Sequence, residues 1–208
     1  MIESLKALLF SEAFRHRCRK KQTDFTRRRT LTFPRLIGFL LNMLTKTLQI
    51  ELDRFLKLLK GNRVMQVTKQ AFGKARKKIS EQAFILLNQC LIDEFYTENT
   101  YQTWKGYRLL GIDGSTVQLP MSPAIIAEFG GVTNQHGLIM AMGRMSIMYD
   151  VLNEFSVDPV LAPYTTGERE LALGHVASLM AFDHRTEGHR GHQQELLLFD
   201  MGYPALWF

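Results

Sequence analysis

The chain has 208 residues, 46% of them hydrophobic and 22% charged, a composition that suits a folded protein and excludes an intrinsically disordered one. Its longest apolar run, residues 36–44, is far shorter than the roughly 20 residues of a membrane-spanning helix, and the N-terminus lacks a signal-peptide pattern. The two cysteines, Cys18 and Cys90, lack metal-type spacing. We therefore expect a soluble, intracellular protein in a reducing setting, with no membrane partner.

Charge is distributed unevenly along the chain. The net charge is +6, but residues 1–80 hold 20 lysines and arginines against 5 acidic residues, whereas residues 81–208 hold 6 against 15. The first part therefore carries +15 and the second −9. This asymmetry predicts one part that grips a polyanion and another with a different task. An ordinary pair of solvated basic helices is the alternative.

Residues 33–60 carry apolar side chains at three- and four-residue steps, which predicts helical structure. Pro34 suits a first helical turn, and a break near Thr45–Thr47 divides the segment into two helices. Gly61-Asn62 is a natural stop. This part of the chain is predicted to be core scaffolding.

A short basic helix is predicted at Val67–Ile79, with Thr68 as its N-cap. The side chains expected to be buried are Ala71, Phe72, Ala75 and Ile79. The opposite face presents the candidate DNA-binding residues Lys69, Gln70, Lys74, Arg76, Lys77 and Lys78. Such a helix after compact helices is typical of a helix-turn-helix DNA reader, in which the cations neutralise phosphates and Gln70 reaches a base edge. A basic face that is merely solvated is the alternative.

Further basic clusters lie upstream, at residues 15–21 and Arg27–Arg29. They are either a flexible arm on the DNA backbone, whose affinity falls with salt, or a disordered leader. Ser80–Tyr96 is predicted to be another amphipathic helix, followed by a connector. We therefore expect a helical, basic, DNA-binding domain over residues 1–100 and a second domain over residues 101–208.

The second half alternates strands and turns. The predicted order is a strand at Tyr107–Ile112 that delivers Asp113, with a turn at Gly114, then a loop, strands at Leu138–Val151 and Phe155–Leu161, a helix at Gly167–Phe182, and a buried strand at Glu195–Phe199 that delivers Asp200. Residues 152–154 form the hairpin turn, and Asp150 is expected to cap it. The methionines between Met140 and Met148 are expected to pack in the core.

Both aspartates come at strand ends. If the first three strands are antiparallel and the last pairs beside the first, Asp113 and Asp200 emerge together at one edge of the sheet, as in a ribonuclease H-like core. Two carboxylates so close repel each other unless a cation lies between them. Mg²⁺, or Mn²⁺ in its place, suits hard oxygen ligands and phosphate substrates. The sequence therefore predicts a divalent-metal site for phosphoryl transfer.

Other chemistry is less well supported. His184, His189 and His192 lie with Asp183 in a polar, glycine-containing segment whose spacing matches no zinc site, so an exposed loop is expected. There is no glycine-rich phosphate loop and no recognisable serine or cysteine nucleophile arrangement.

The stretches TLQIELDRF, VTKQAFGKARKKI, GYRLLGIDGSTVQLP, RMSIMYDVLN, GERELALGH and LLLFDMGYPALWF together resemble transposases of the insertion-sequence 4 group, within the DDE superfamily, over residues 33–208. The resemblance implies a helical DNA-binding domain, a ribonuclease H-like (DDE) catalytic domain, and cut-and-paste chemistry on terminal inverted repeats and target DNA in the bacterial cytoplasm, at the nucleoid. Asp113 and Asp200 match the family's first two catalytic aspartates. Whether a homodimer pairs the transposon ends is left open.

Two departures from the family pattern matter. Met201 stands where the family usually has arginine, and the family's catalytic glutamate, in a Tyr-Arg-Glu-Lys signature, does not occur in these 208 residues. The catalytic core is therefore expected to be incomplete and this chain alone to be inactive or nearly so. The alternatives are a non-catalytic DNA-binding module, acting as a repressor of transposition, and a ribonuclease H-like nuclease of another kind, which needs a further carboxylate soon after Asp200.

Overall fold

The computed structural model describes residues 2–27, 29–42, 45–60, 66–98, 100–133, 135, 137–186 and 194–200. It has a mixed α+β architecture with one five-stranded sheet, which confirms the predicted class at this level. The chain divides into two compact units, Met1–Leu91 and Ile92–Phe208. The division lies inside a helix, earlier than the predicted boundary after residue 100, because the last turns of that helix pack with the sheet.

The first unit is built from helices. Its described elements are α1 (Ile2–Phe10), α2 (Glu12–Cys18), α3 (Phe33–Leu40), α4 (Leu48–Lys60), α5 (Lys69–Arg76) and the first part of α6 (Gln82–Glu98). The predicted helices α3 to α6 are confirmed, whereas α1 and α2 were not predicted. The predicted stop at Gly61-Asn62 lies outside the described residues.

Aromatic side chains form the core of this unit. The rings of Phe39 and Phe72 meet edge to face at 5.1 Å, and those of Phe14 and Phe33 at 5.7 Å; all four are buried. Such pairs contribute about 0.5–1.5 kcal/mol each beyond their buried area. The first unit is therefore held by long-range packing between α2, α3 and α5.

The predicted break between α3 and α4 is confirmed, and Glu51 explains its shape. The buried Glu51 carboxylate accepts hydrogen bonds from the backbone N–H groups of Thr45 and Lys46, at 3.2 and 2.9 Å, and from the Thr45 hydroxyl. These donors precede the first turn of α4. A carboxylate that reaches back in this way fixes the path by which the chain enters the helix.

The upstream basic cluster at residues 15–21 is neither an arm nor a disordered leader. It begins in α2, where Cys18 is fully buried, and the Cys18 carbonyl accepts a hydrogen bond from Ser80 N at 2.8 Å. Lys20 N donates to the Lys78 carbonyl at 2.9 Å. The prediction was wrong because Cys18, which lies between the cations, and Phe14, just before them, are buried in the helical core. Of the second cluster, Arg28 lies outside the described residues.

The second unit contains the sheet. Its described elements, after the end of α6, are β1 (Tyr107–Gln118), α7 (Pro123–Phe129), β2 (Gly131–Thr133), β3 (Ile139–Asp150), β4 (Phe155–Pro163), α8 (Glu168–Thr186) and β5 (Gln194–Phe199). The β3–β4 hairpin, α8 and β5 lie where the sequence predicts them. The predicted loop before β3 is wrong, because it holds α7, whose first turn is capped by the Ser122 hydroxyl, and β2.

Strand order follows the predicted arrangement. β1 pairs antiparallel with β3 and parallel with β5, while β4 pairs antiparallel with β3; β2 pairs with the first residues of β3. The first long strands thus form an antiparallel meander, and the last strand joins beside the first. β1 and β5 are brought together although their register partners, such as Ile112 and Phe199, lie 87 positions apart in sequence.

The two faces of the sheet differ. On one face Leu110, Ile112 and Met148 are buried in a core that includes Ala172 and Leu179 of α8. On the other face, Tyr149, Leu161, Leu196 and Leu198 are substantially exposed. No helix in the described part of the chain is long and apolar enough to cross a membrane.

Candidate metal and nucleic-acid sites

Asp113 and Asp200 lie close together at neighbouring parallel strands. The register pairs Ile112 of β1 with Phe199, the last residue of β5; Asp113 is the next residue of β1, and Asp200 directly follows the end of β5. Neighbouring strands lie about 4.8 Å apart, and residues opposed in register point to the same face. The two carboxylates therefore start from adjacent backbone positions on the face that α8 does not cover.

Both aspartates are exposed and border one open depression on that face. Apart from the carboxylates, its lining is mainly apolar; the residues are Gly111, Ile112, Asp113, Ile147, Tyr149, Leu198, Phe199 and Asp200. The structure thus brings together the two residues that the sequence selects. The arrangement offers two carboxylate ligands at one open, mainly apolar depression.

The backbone around Asp113 differs from the prediction. The strand does not end at Asp113, since β1 continues through Gly114 and Ser115, which pair with Ser146 and Met145 of β3. The predicted turn at Gly114 is therefore wrong, because β3 supplies a partner for these residues. The Asp113 carboxylate instead accepts a hydrogen bond from Gly114 N at 2.7 Å, which restrains its orientation.

The residues present fit a hydrated Mg²⁺ or Mn²⁺ better than a metal that needs an all-protein cage. Asp113 and Asp200 supply carboxylate oxygens, and Mg²⁺ is commonly held by one or two carboxylates while it keeps waters and phosphate oxygens. Within the described ranges, no group of three or more histidine, cysteine, aspartate or glutamate side chains could hold a metal. Two protein ligands are therefore what the described site can contribute.

Asp150 caps the β3–β4 hairpin, as predicted. Its fully buried carboxylate accepts hydrogen bonds from Leu152 N at 3.1 Å and Asn153 N at 3.0 Å. It also accepts one from the hydroxyl of Tyr96 at 2.6 Å. Burial, followed by the hydrogen bond to Asp150, raises the pKa of Tyr96 well above its ordinary value, so the hydroxyl remains a donor. Asp150 is structural and faces the core.

The candidate DNA-binding residues lie on and just after α5. Thr68 caps this helix as predicted, accepting from Ala71 N at 3.2 Å; Phe72 and Ile79 are buried, but Ala71 is exposed. The exposed candidates are Lys69, Gln70, Lys74, Arg76 and Lys77. Lys78 differs, because its ammonium group pairs with the buried Asp24 at 3.0 Å.

Sequence reasoning missed a chain of hydrogen bonds that joins four elements, α8, β4, β3 and β1. His175 of α8 is fully buried, and its Nδ1 lies 2.8 Å from Asp158 Oδ2 of β4. Its Nε2 lies 2.9 Å from Ser146 Oγ of β3, and Ser146 in turn donates to the Asp113 main-chain carbonyl at 3.3 Å. No sequence spacing indicates this chain, since its members come from different elements. The only signal is a histidine between the apolar positions Ala172 and Leu179 of one helix face.

The predicted histidine loop is partly corrected. α8 runs to Thr186, so the backbone at His184 is helical and the helix extends beyond its predicted end at Phe182. His189 and His192 lie outside the described residues, as do all residues after Asp200.

The chain was compared with protein-family models, with curated proteins and with solved structures, and none of the three comparisons gives a match.

Proposed function

We propose that this protein is a DDE-type transposase of a DNA insertion element, which cuts and joins transposon-end DNA by metal-dependent phosphoryl transfer. The observation that carries the proposal is the placement of Asp113 and Asp200 side by side in one open depression. The antiparallel meander with a parallel strand beside β1 supports a ribonuclease H-like core. The basic helix of the first unit supports DNA as the partner.

Asp113 and Asp200 would hold Mg²⁺ or Mn²⁺ through their carboxylate oxygens. Bound there, the divalent cation would activate an attacking water or 3′-hydroxyl and stabilise the leaving oxygen. The surrounding residues contribute by holding the two carboxylates in position. Paired strand β1 holds Asp113, Asp200 directly follows paired strand β5, and the Gly114 N–H orients the Asp113 carboxylate.

The exposed cations of α5 would grip the DNA backbone. Lys69, Lys74 and Lys77 stand in solvent, and the Thr68 cap together with the buried Phe72 ring holds the helix that displays them. Lysine ammonium groups bind phosphates as point charges and release counterions. Gln70, exposed beside them, is the residue of this face that suits a base edge.

Removing the three lysines should reduce the salt dependence of DNA binding. We expect the variant with Lys69, Lys74 and Lys77 all replaced by glutamine to bind duplex DNA more weakly. The slope of log affinity against log salt should become shallower by roughly 2–3, since each lost phosphate contact removes about 0.9. The measurement is fluorescence anisotropy of a labelled short duplex over a series of salt concentrations.

The matched control removes three exposed lysines that lie elsewhere, Lys6, Lys57 and Lys105. It changes the net charge by the same amount, so it separates a local interface from a general charge effect. The α5 interface is refuted if both triple variants change the slope equally.

A non-catalytic DNA-binding module, which represses transposition, is the second candidate. It is favoured by one observation: only two carboxylates border the depression, and no third ligand joins them in the described part of the chain. Incubation of transposon-end DNA with this chain and Mg²⁺ tests the module. The family's catalytic glutamate does not occur in these 208 residues, so we expect binding with little or no cleavage by this chain alone under either candidate, and robust metal-dependent turnover would exclude the module.

A further inference from the structure

A polar residue occupies the middle of the apolar face of α8. His175 is fully buried, and Ala172 and Leu179, one turn away on either side, belong to the core. An unsatisfied polar group in such a place is unfavourable by several kcal/mol. Both ring nitrogens are within hydrogen-bonding distance of partners, Asp158 at 2.8 Å and Ser146 at 2.9 Å. The histidine therefore makes two directed contacts where an apolar residue would make none.

The hydrogen atoms in this series of hydrogen bonds can be placed by identifying the atoms that can only accept. The Ser146 hydroxyl has one hydrogen and donates it to the carbonyl of Asp113, so it accepts from the Nε2–H of His175. On its other side, the ring lies against the Asp158 carboxylate through Nδ1.

A serine-protease-like role for these three residues is excluded by the same geometry. In a nucleophilic triad the serine hydroxyl donates to the histidine and faces the substrate. Here Ser146 is fully buried and its hydrogen is directed to a main-chain carbonyl. No substrate atom can approach the Ser146 Oγ.

This series of hydrogen bonds ends at the Asp113 carboxylate. Ser146 donates to the carbonyl of the peptide unit that joins Asp113 to Gly114, and the N–H of the same peptide unit donates to Asp113 Oδ1 at 2.7 Å. Hydrogen bonds that meet at one peptide unit polarise each other, because a carbonyl that accepts makes its N–H a better donor. The contacts thus run without interruption from α8 to the exposed carboxylate.

We propose that His175 is a positioning residue, which acts through Ser146 and the Asp113–Gly114 peptide unit to set the orientation of the Asp113 carboxylate for a divalent cation. The inference rests on the metal site of the proposed function. Partners that orient a metal ligand are typically worth 10- to 100-fold in metal affinity. Ser146 and His175 would thus tune the site from the opposite face of the sheet.

The test measures Mn²⁺ affinity by electron paramagnetic resonance on the whole chain. Ser146→Ala and His175→Leu should each weaken Mn²⁺ binding about tenfold. His175→Gln, whose amide can still donate to Ser146, should retain most of the affinity. Leu179→Ala is the matched control, because it destabilises the same helix face without touching the chain of hydrogen bonds. Unchanged affinity in a folded Ser146→Ala protein, or equal weakening in Leu179→Ala, overturns the proposal.

A second arm without metal separates this inference from the proposed function. In ¹⁵N nuclear magnetic resonance spectra of the unaltered chain, Nε2 of His175 should carry hydrogen, and Ser146→Ala should shift the Gly114 amide signal. A ring without hydrogen on Nε2, or an unmoved Gly114 signal, overturns the hydrogen-bond chain. If this arm succeeds but the unaltered protein binds no Mn²⁺, the metal site of the proposed function is what fails.

Discussion

Alanine in place of Asp150 is expected to lower the free energy of unfolding by about 3–4 kcal/mol. The Asp150 carboxylate is fully buried and accepts from two backbone N–H groups of the hairpin turn, from the Asn153 side chain and from the Tyr96 hydroxyl. The substitution removes all four acceptor contacts at once. Because β3 carries the residues that pair with β1 around Asp113, the loss of stability should extend across the sheet.

Chemical denaturation followed by circular dichroism measures this effect. Asp150→Asn serves as the conservative control, since an amide oxygen can still accept from the turn, and its loss should be clearly smaller. A loss below about 0.5 kcal/mol for Asp150→Ala, within the range of an ordinary surface substitution, would show that the turn is held by other contacts.

The second large effect concerns β5, the strand that directly precedes Asp200. Glu195 of β5 pairs with the guanidinium of Arg108, its register partner on β1. Arg108 is fully buried, with its guanidinium carbon 4.6 Å from the centre of the Tyr96 ring. Glu195→Ala removes the carboxylate that balances this buried charge, and such losses are typically about 3–5 kcal/mol. We expect a destabilisation of that order.

The control for this prediction is Glu195→Gln, which keeps a hydrogen-bond acceptor but not the charge. Its stability should lie between that of the unaltered chain and that of Glu195→Ala. Both variants are compared by urea unfolding at neutral pH. If Glu195→Ala unfolds at the same urea concentration as the unaltered chain, the ion pair with Arg108 does not anchor β5 beside β1.

Elements with a strong local pattern were predictable from the sequence. The β3–β4 hairpin, α8 and β5 follow from hydrophobic periodicity, and the parallel pairing of β5 with β1 follows from short apolar strands around one helix. Asp113 and Asp200 could be placed together for that reason. The hairpin cap at Asp150 was predictable as well, because an aspartate directly before a turn bonds the backbone ahead of it.

Elements that depend on distant partners were not predictable. β1 continues past Asp113 because β3 pairs with it, and this tertiary contact overrides the turn that Asp-Gly favours locally. The helix α2 was not predictable, because basic residues occupy its last turn and its buried side chains are only Phe14 and Cys18.

His175 was missed for a similar reason. Its partners lie 17 and 29 residues away, so only the folded chain reveals their contact. By contrast, the helix α7 has a readable signal in the sequence, since Ser122 followed by Pro123 is typical of a helix start.

The central claim is that Asp113 and Asp200 together hold a divalent cation, and titration of the chain with Mn²⁺ tests it most directly. Asp113→Asn and Asp200→Asn should each weaken binding by more than about tenfold, because even the partners of a ligand are worth that much. Glu128→Gln, which changes the charge equally at an exposed position of α7, should bind Mn²⁺ as the unaltered chain does. Equal binding by all four proteins, or an equal loss in all three variants, would contradict a metal site at the ends of β1 and β5.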